Sequence, residues 1–231
     1  MVGNERGTVA REFRTARAAA LAGIGFSVIV AVVVWLLHAA LLTGSRTPDW
    51  ITDPSQRHMM SIALELIPFA GIFFLWFIGV IRTRLGDRED RLFATVFLGS
   101  GLLFVAMLFV GTAITGGLLL MFDENTPVSN DSVLLANAIT TVMVGTLGIR
   151  MAAIFTLATT NLGRSTGITP IWLTTIGYAT GAVLLFAPAG NIGVALMFPT
   201  WVFLFSVHLF VVSFRTASPV VTGNSGLQHH E

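Results

Sequence analysis

The chain has 231 residues, of which 54 % are hydrophobic and 11 % charged, and its formal net charge is +1. That charge content is far below the ~25 % of water-soluble domains, and no basic cluster is dense enough for a nucleic-acid site. With neither cysteine nor lysine, the chain excludes disulfides, thiolate metal ligation, iron–sulfur clusters, cysteine nucleophiles and every lysine Schiff base, including those of PLP and retinal.

Charge is absent from long stretches. Ala18–Ser45, Leu92–Phe122 and Ser165–Phe214 contain no formally charged residue, and only Glu65 and Arg150 fall inside apolar runs. A lipid-spanning helix needs about 20 apolar residues to cross a ~30 Å hydrocarbon core. The fold class expected is all-α: a polytopic membrane protein built as a bundle of six transmembrane helices.

In chain order, a cytoplasmic segment 1–17 precedes a first span at 18–43. Its apolar stretch is too long for the h-region of a cleavable signal, so it reads as a permanent span. Thr47-Pro48-Asp49-Trp50-Ile51 reads as a surface loop with Trp50 at the headgroup level. The second span is expected at 59–81 and the third at 92–121. Gly86-Asp87 and Asp90 between them read as a helix stop and a fresh N-cap. The third is longer than a crossing requires, which predicts tilt or projection near Gly116-Gly117. The fourth is expected at 133–159, the fifth at 169–188 and the sixth at 192–214. Pro188-Ala189-Gly190-Asn191 forms the turn that divides the last two. The six-helix domain thus covers 18–215, and 216–231 reads as a flexible cytoplasmic tail.

All thirteen basic residues are arginine, and they segregate. Arg6, Arg11, Arg14, Arg17, Arg82, Arg84, Arg88, Arg91, Arg164 and Arg215 fall on one side of a six-span topology, with only Arg46 and Arg57 opposite. The positive-inside rule then places both termini in the cytoplasm, and an odd number of spans would spoil the segregation. Arginine-only usage with abundant Ala, Gly and Val points to a GC-rich bacterial genome, hence a multi-pass protein of a bacterial cytoplasmic membrane.

Two pairs of small residues at i, i+4 are candidates for close helix packing: Gly177 with Gly181, and Ala113 with Gly117. Such pairs let backbones approach where lipid offers no hydrophobic contrast. They serve packing within the bundle or contact with a second copy or partner. Pro68 and Pro199 are expected to kink the second and last spans, freeing carbonyls.

Glu65 is the sharpest functional candidate, because a carboxylate at bilayer depth must be paired, protonated or hydrated. It is expected about six residues into the second span, at a depth similar to His38. Three readings follow: a proton or cation site opening outward, a structural Glu65–His38 clasp, or a Glu65 that reaches the outer interface; the side chain is expected to point inward, toward the first span. Arg150 is expected roughly nine residues from the cytoplasmic end of the fourth span, with His208 near the same side. Arg150 suits an anionic headgroup or substrate carboxylate, or equally a helix-end carbonyl or a partner's acid.

No haem is expected, since His38 and His208 lie in opposite leaflets and His38 with His58 would meet only at the rim. His229-His230-Glu231 reads as solvated tail, and no metal site, cofactor or catalytic set is expected.

Gly79-Val80-Ile81-Arg82-Thr83-Arg84-Leu85-Gly86-Asp87-Arg88 resembles the cytoplasmic loop motif G-x-x-x-D-R-x-G-R-R of major facilitator transporters. Gly79, Arg84 and Gly86 match, whereas Thr83 replaces the acid and Asp87 a basic residue. The pattern over Ile67–Phe109 resembles uncharacterised six-span membrane proteins of actinobacteria; this implies the six-span topology and assigns no catalytic residue.

The function expected is non-enzymatic. The principal reading is an accessory or interaction subunit docked onto other subunits of a larger transport or respiratory membrane complex. The alternative is a small carrier or binder of lipid or apolar molecules, a proton-linked homodimer of six-helix halves. Its partners are the lipid bilayer and membrane proteins, with no nucleic acid.

Overall fold

The computed structural model describes residues 20–39, 53–85, 91–123, 128–188 and 191–215. Among the described residues the chain is all-helical, with no strand, and the helices form six rods. They are α1 (Ala20–Ala39), α2 (Pro54–Leu85) and α3 (Arg91–Asp123). A composite rod follows, Asn130–Ser165, and then α6 (Ile171–Phe186) and α7 (Ile192–Arg215). The composite rod consists of α4 (Asn130–Thr140), a π-helical stretch over Thr141–Gly148, and α5 (Ile149–Ser165). Five of the six rods are long and apolar enough to cross a membrane, while α6, with 16 residues, is shorter.

Each expected span overlaps one rod, and the differences at the ends have local causes. α2 begins at Pro54, five residues before the expected start. Asp53 caps it: Ser55 N donates to Oδ1 at 2.8 Å, and Gln56 Nε2 donates to Oδ2 at 3.2 Å. Pro54 takes the first helical position, where a missing N–H costs nothing. Asp53-Pro54-Ser55-Gln56 is therefore a start signal written in the sequence.

The composite rod runs to Ser165 rather than 159. It stops because Gly167 adopts φ 71°, a left-handed conformation that glycine alone enters freely. The backbone N–H groups of Ile168 and Thr169 then close onto the carbonyl of Gly163. α6 is bounded by Pro170 at its start and by Ala187, which precedes Pro188 and is extended, as that position favours. Segments 1–17 and 216–231, Trp50, Asp87 and Asp90, and Ala189-Gly190 lie outside the described residues.

α5 packs most extensively on α6 and α3, and α3 also holds α2. α1 nests between α2 and α7, since Gly23 faces Phe77 and Ser206 while Gly25 faces Phe73. The start of α1 and the end of α7 thus lie at one end of the bundle, the termini end; His38 and Asn191 lie at the opposite, far end.

The centre is filled by phenylalanine. Phe26 of α1 stacks tilted on Phe74 of α2 at 4.7 Å, and Phe104 of α3 meets Phe198 of α7 edge-on at 4.9 Å. Phe155 of α5 joins Phe74 at 5.0 Å. Five helices each contribute one ring to this plug. In lipid such a core is held by dispersion contacts and ring geometry rather than by exclusion from water.

The two small-residue pairs part company. Gly177 and Gly181 are buried, and a Cβ would strike Thr160 and Trp201 at the first and Leu157 at the second. That pair packs α6 within the bundle. Ala113 and Gly117 are exposed, and a Cβ on Gly117 would meet nothing within 4 Å. The α3 pair does not pack inside the bundle.

Candidate functional site

Above the aromatic plug the helices separate into a cavity of about 370 Å³. Its floor includes Ala70 of α2, Phe104 of α3, Ala152 of α5 and Phe198 of α7. Its wall along α1 runs from Val30 to His38, about 12 Å at helical rise. Among the described residues the lining is aliphatic and aromatic except for His38 and Asn191, both at the far end. A volume of this size lies within the ordinary range of small-molecule sites, which are concave, apolar and carry a few polar groups.

Two breaks in helical regularity face this space. Val144 and Gly145 of the π stretch line one side, and Ala195 and Pro199 of α7 line another. Pro199 has no N–H to offer the carbonyl of Ala195, so α7 gives up a rung of its ladder beside the cavity. The π turn widens the composite rod on its side, and π-bulges recur at functional sites. The proline inside α7 was legible in the sequence. The π stretch was not, because Thr141–Gly148 has the composition of any apolar helix.

Glu65 lies elsewhere. It is exposed, makes no hydrogen bond to His38, and stands in an outward stripe with Ile62, Phe69, Ile72 and Trp76. The opposite stripe of α2, Ala63, Ala70, Phe74, Phe77 and Ile81, is the buried one. The clasp to His38 and the inward glutamate are thus both corrected. That Glu65 falls inside the second span was readable from sequence, but azimuth depends on which stripe the neighbours cover. The early start of α2 also places Glu65 eleven residues beyond Pro54, about 16 Å rather than ~9 Å. His38 is itself exposed, at the mouth of the cavity.

Arg150 is half-buried, and its Nη1 donates to the carbonyl of Thr146 at 3.0 Å. This is a carbonyl bond of the kind the structural reading expected, though in mid-rod rather than at an end. Because α5 extends to Ser165, Arg150 stands fifteen residues from that end, not nine. Neither Glu65 nor Arg150 lines the cavity.

His208 is held apart from both. Its Nε2 lies 3.1 Å from the carbonyl of Ile168, which accepts the imidazole N–H, and Trp172 meets the ring edge-on at 6.2 Å. His208 ties α7 to the turn between α5 and α6. Tyr178 OH donates to Asn161 Oδ1 at 3.3 Å and links the same two helices.

Asn191 is the residue that sequence reasoning used only as a turn former. Its Oδ1 accepts from Gly193 N at 2.9 Å and Val194 N at 3.4 Å, capping α7, while the residue borders the cavity. The signal was present: asparagine immediately before an apolar helix is a preferred N-cap. No group of three or more His, Asp or Glu side chains able to hold a metal occurs among the described residues. Comparisons with protein-family models, with curated proteins and with solved structures find no match for this chain.

Proposed function

We propose that the protein is a membrane-embedded, non-enzymatic binder of apolar molecules, which it takes into the cavity between α1, α3, the π stretch and α7. The observation that carries this reading is the 370 Å³ apolar space closed beneath by aromatic rings. The setting is a six-span topology with both termini cytoplasmic in a bacterial cytoplasmic membrane. Arginine segregation and the common end shared by the start of α1 and the end of α7 support that placement. Counting α6 as a span asks its 16 residues, about 24 Å, to cross a ~30 Å core, which slight local thinning accommodates. A proton-linked carrier built on Glu65 and Arg150 is not supported, because both side chains lie away from the cavity.

The test is photolabelling of the full chain in lipid nanodiscs with a diazirine-bearing alkane. Labelling is expected on the peptides that carry Val30–His38 and Val194–Phe198. Ala195→Phe, which fills the space from a half-buried position, should reduce it by about tenfold. Labelling spread over outward positions such as Ile72 and Leu102, and unchanged by Ala195→Phe, overturns the reading.

A second reading, the accessory subunit, is favoured by Glu65. A carboxylate in an outward apolar stripe is costly in lipid unless it reaches the interface or meets a polar group on another helix. The stripe Ile62–Trp76 would then be where a partner subunit docks. Glu65→Leu is expected to leave thermal unfolding of the isolated chain unchanged or slightly raised, since no internal bond is lost. In a gentle detergent extract at native expression the same change should release a stoichiometric partner. A wild-type chain that elutes with no partner removes this reading.

A further inference from the structure

We infer that the cavity is a site for a single-tailed carboxylate amphiphile, a fatty acid of about a dozen carbons, with its head held between His38 and Asn191. The inference rests on the cavity being the binding site proposed above and adds the chemistry of its occupant.

Size selects one tail. A volume of 370 Å³ equals that of about a dozen water-sized groups at ~30 Å³ each, and a methylene is of similar bulk. Two diacyl tails do not fit. The aromatic floor at Phe104 and Phe198 stops a tail at the plug and directs the head toward the far end.

Polarity selects the head. Asn191 Oδ1 is committed to the N–H groups of Gly193 and Val194, which leaves the Nδ2–H donors of this mouth residue uncommitted. The orientation follows from those two bonds, because the backbone N–H groups require an oxygen. The amide sits at the N-terminus of a 24-residue helix, whose dipole favours an anion. His38 borders the same mouth with a ring nitrogen able to donate. Among the described residues, no carboxylate lines the cavity. Donors and a positive helix end suit a carboxylate head and disfavour a quaternary ammonium one.

The deciding experiment is native mass spectrometry of the full chain released from micelles, with laurate, dodecanol or dodecyltrimethylammonium as probes. Laurate is expected to bind in one equivalent and to exceed dodecyltrimethylammonium by about tenfold or more in affinity. Asn191→Asp keeps the cap, because aspartate caps helices as well as asparagine, but replaces the donor with negative charge. It should reverse that preference, and His38→Ala should weaken laurate about threefold to tenfold while leaving dodecanol nearly unchanged. Wild-type preference retained in Asn191→Asp overturns the assignment of the head, while the apolar site stands if Ala195→Phe still abolishes dodecanol binding. Failure of all three probes to bind the wild type, with alkane photolabelling unaffected by Ala195→Phe, overturns both the inference and the reading beneath it.

Discussion

Replacing Phe74 by alanine is expected to cost about 2–4 kcal/mol of stability, read from the shift in an unfolding curve in bicelles. Phe74 is fully buried and its ring meets Phe26, Phe104, Phe155 and Phe198 within 4.7–5.7 Å. Truncation removes the shared centre of four aromatic contacts, each worth up to ~1 kcal/mol beyond simple area. It also leaves a ring-sized void that the surrounding helices fill only in part. The value lies at or below that of a water-soluble core, because in lipid the transfer term largely falls away and dispersion remains. Phe104 and Phe198 rest on Phe74 and form the cavity floor, so the same variant should also bind longer tails. An unfolding curve within 0.5 kcal/mol of wild type would mean that the plug is not the centre of the fold.

Gly177→Val is the second large effect, with a loss of about 3 kcal/mol or outright failure to accumulate. A side chain there must enter the space taken by Thr160 and Trp201. Both neighbours are buried, and neither Thr160 Oγ1 nor Trp201 Nε1 has a hydrogen-bond partner among the described residues. They therefore have no better bond to move to, and the added volume becomes displacement of α6 from α5 and α7. Gly117→Val is the matched control. It places the same side chain on open surface, where β-branching and the lost glycine entropy change helix stability by only a few tenths of a kcal/mol. Equal losses at the two positions, measured by steric-trap unfolding, would show that α3 also relies on its small pair. That would assign Ala113 and Gly117 to a contact within the bundle after all.

The contrast between these two pairs shows how far the primary structure reaches. Gly177/Gly181 and Ala113/Gly117 share one spacing, and nothing in their own residues separates a buried pair from an exposed one. Only the position of α5 and α7 against α6 decides it.

Glu65 makes the same point with charge. Its place in a long apolar run, and so its approach to bilayer depth, follows from one dimension and from the cost of ionised groups in lipid. Its direction follows from which stripe of α2 is covered by α1, α3 and α7, and that is a property of the assembled bundle. Arg150 shows it in length: a helix end set by Gly167 in a left-handed conformation lies fifteen residues beyond Arg150 rather than nine.

What the chain determines by itself is the order and approximate extent of six apolar helices. Periodic hydrophobicity, arginine placement and turn residues are local or summed along the sequence, and they need no partner to be read. The cavity is of the other kind. Its walls come from residues as distant as Val30 and Pro199, and its opening depends on a π turn and a proline rung meeting across the bundle. Where side chains from different helices converge, the outcome depends on packing between elements, and tertiary structure alone could show a site.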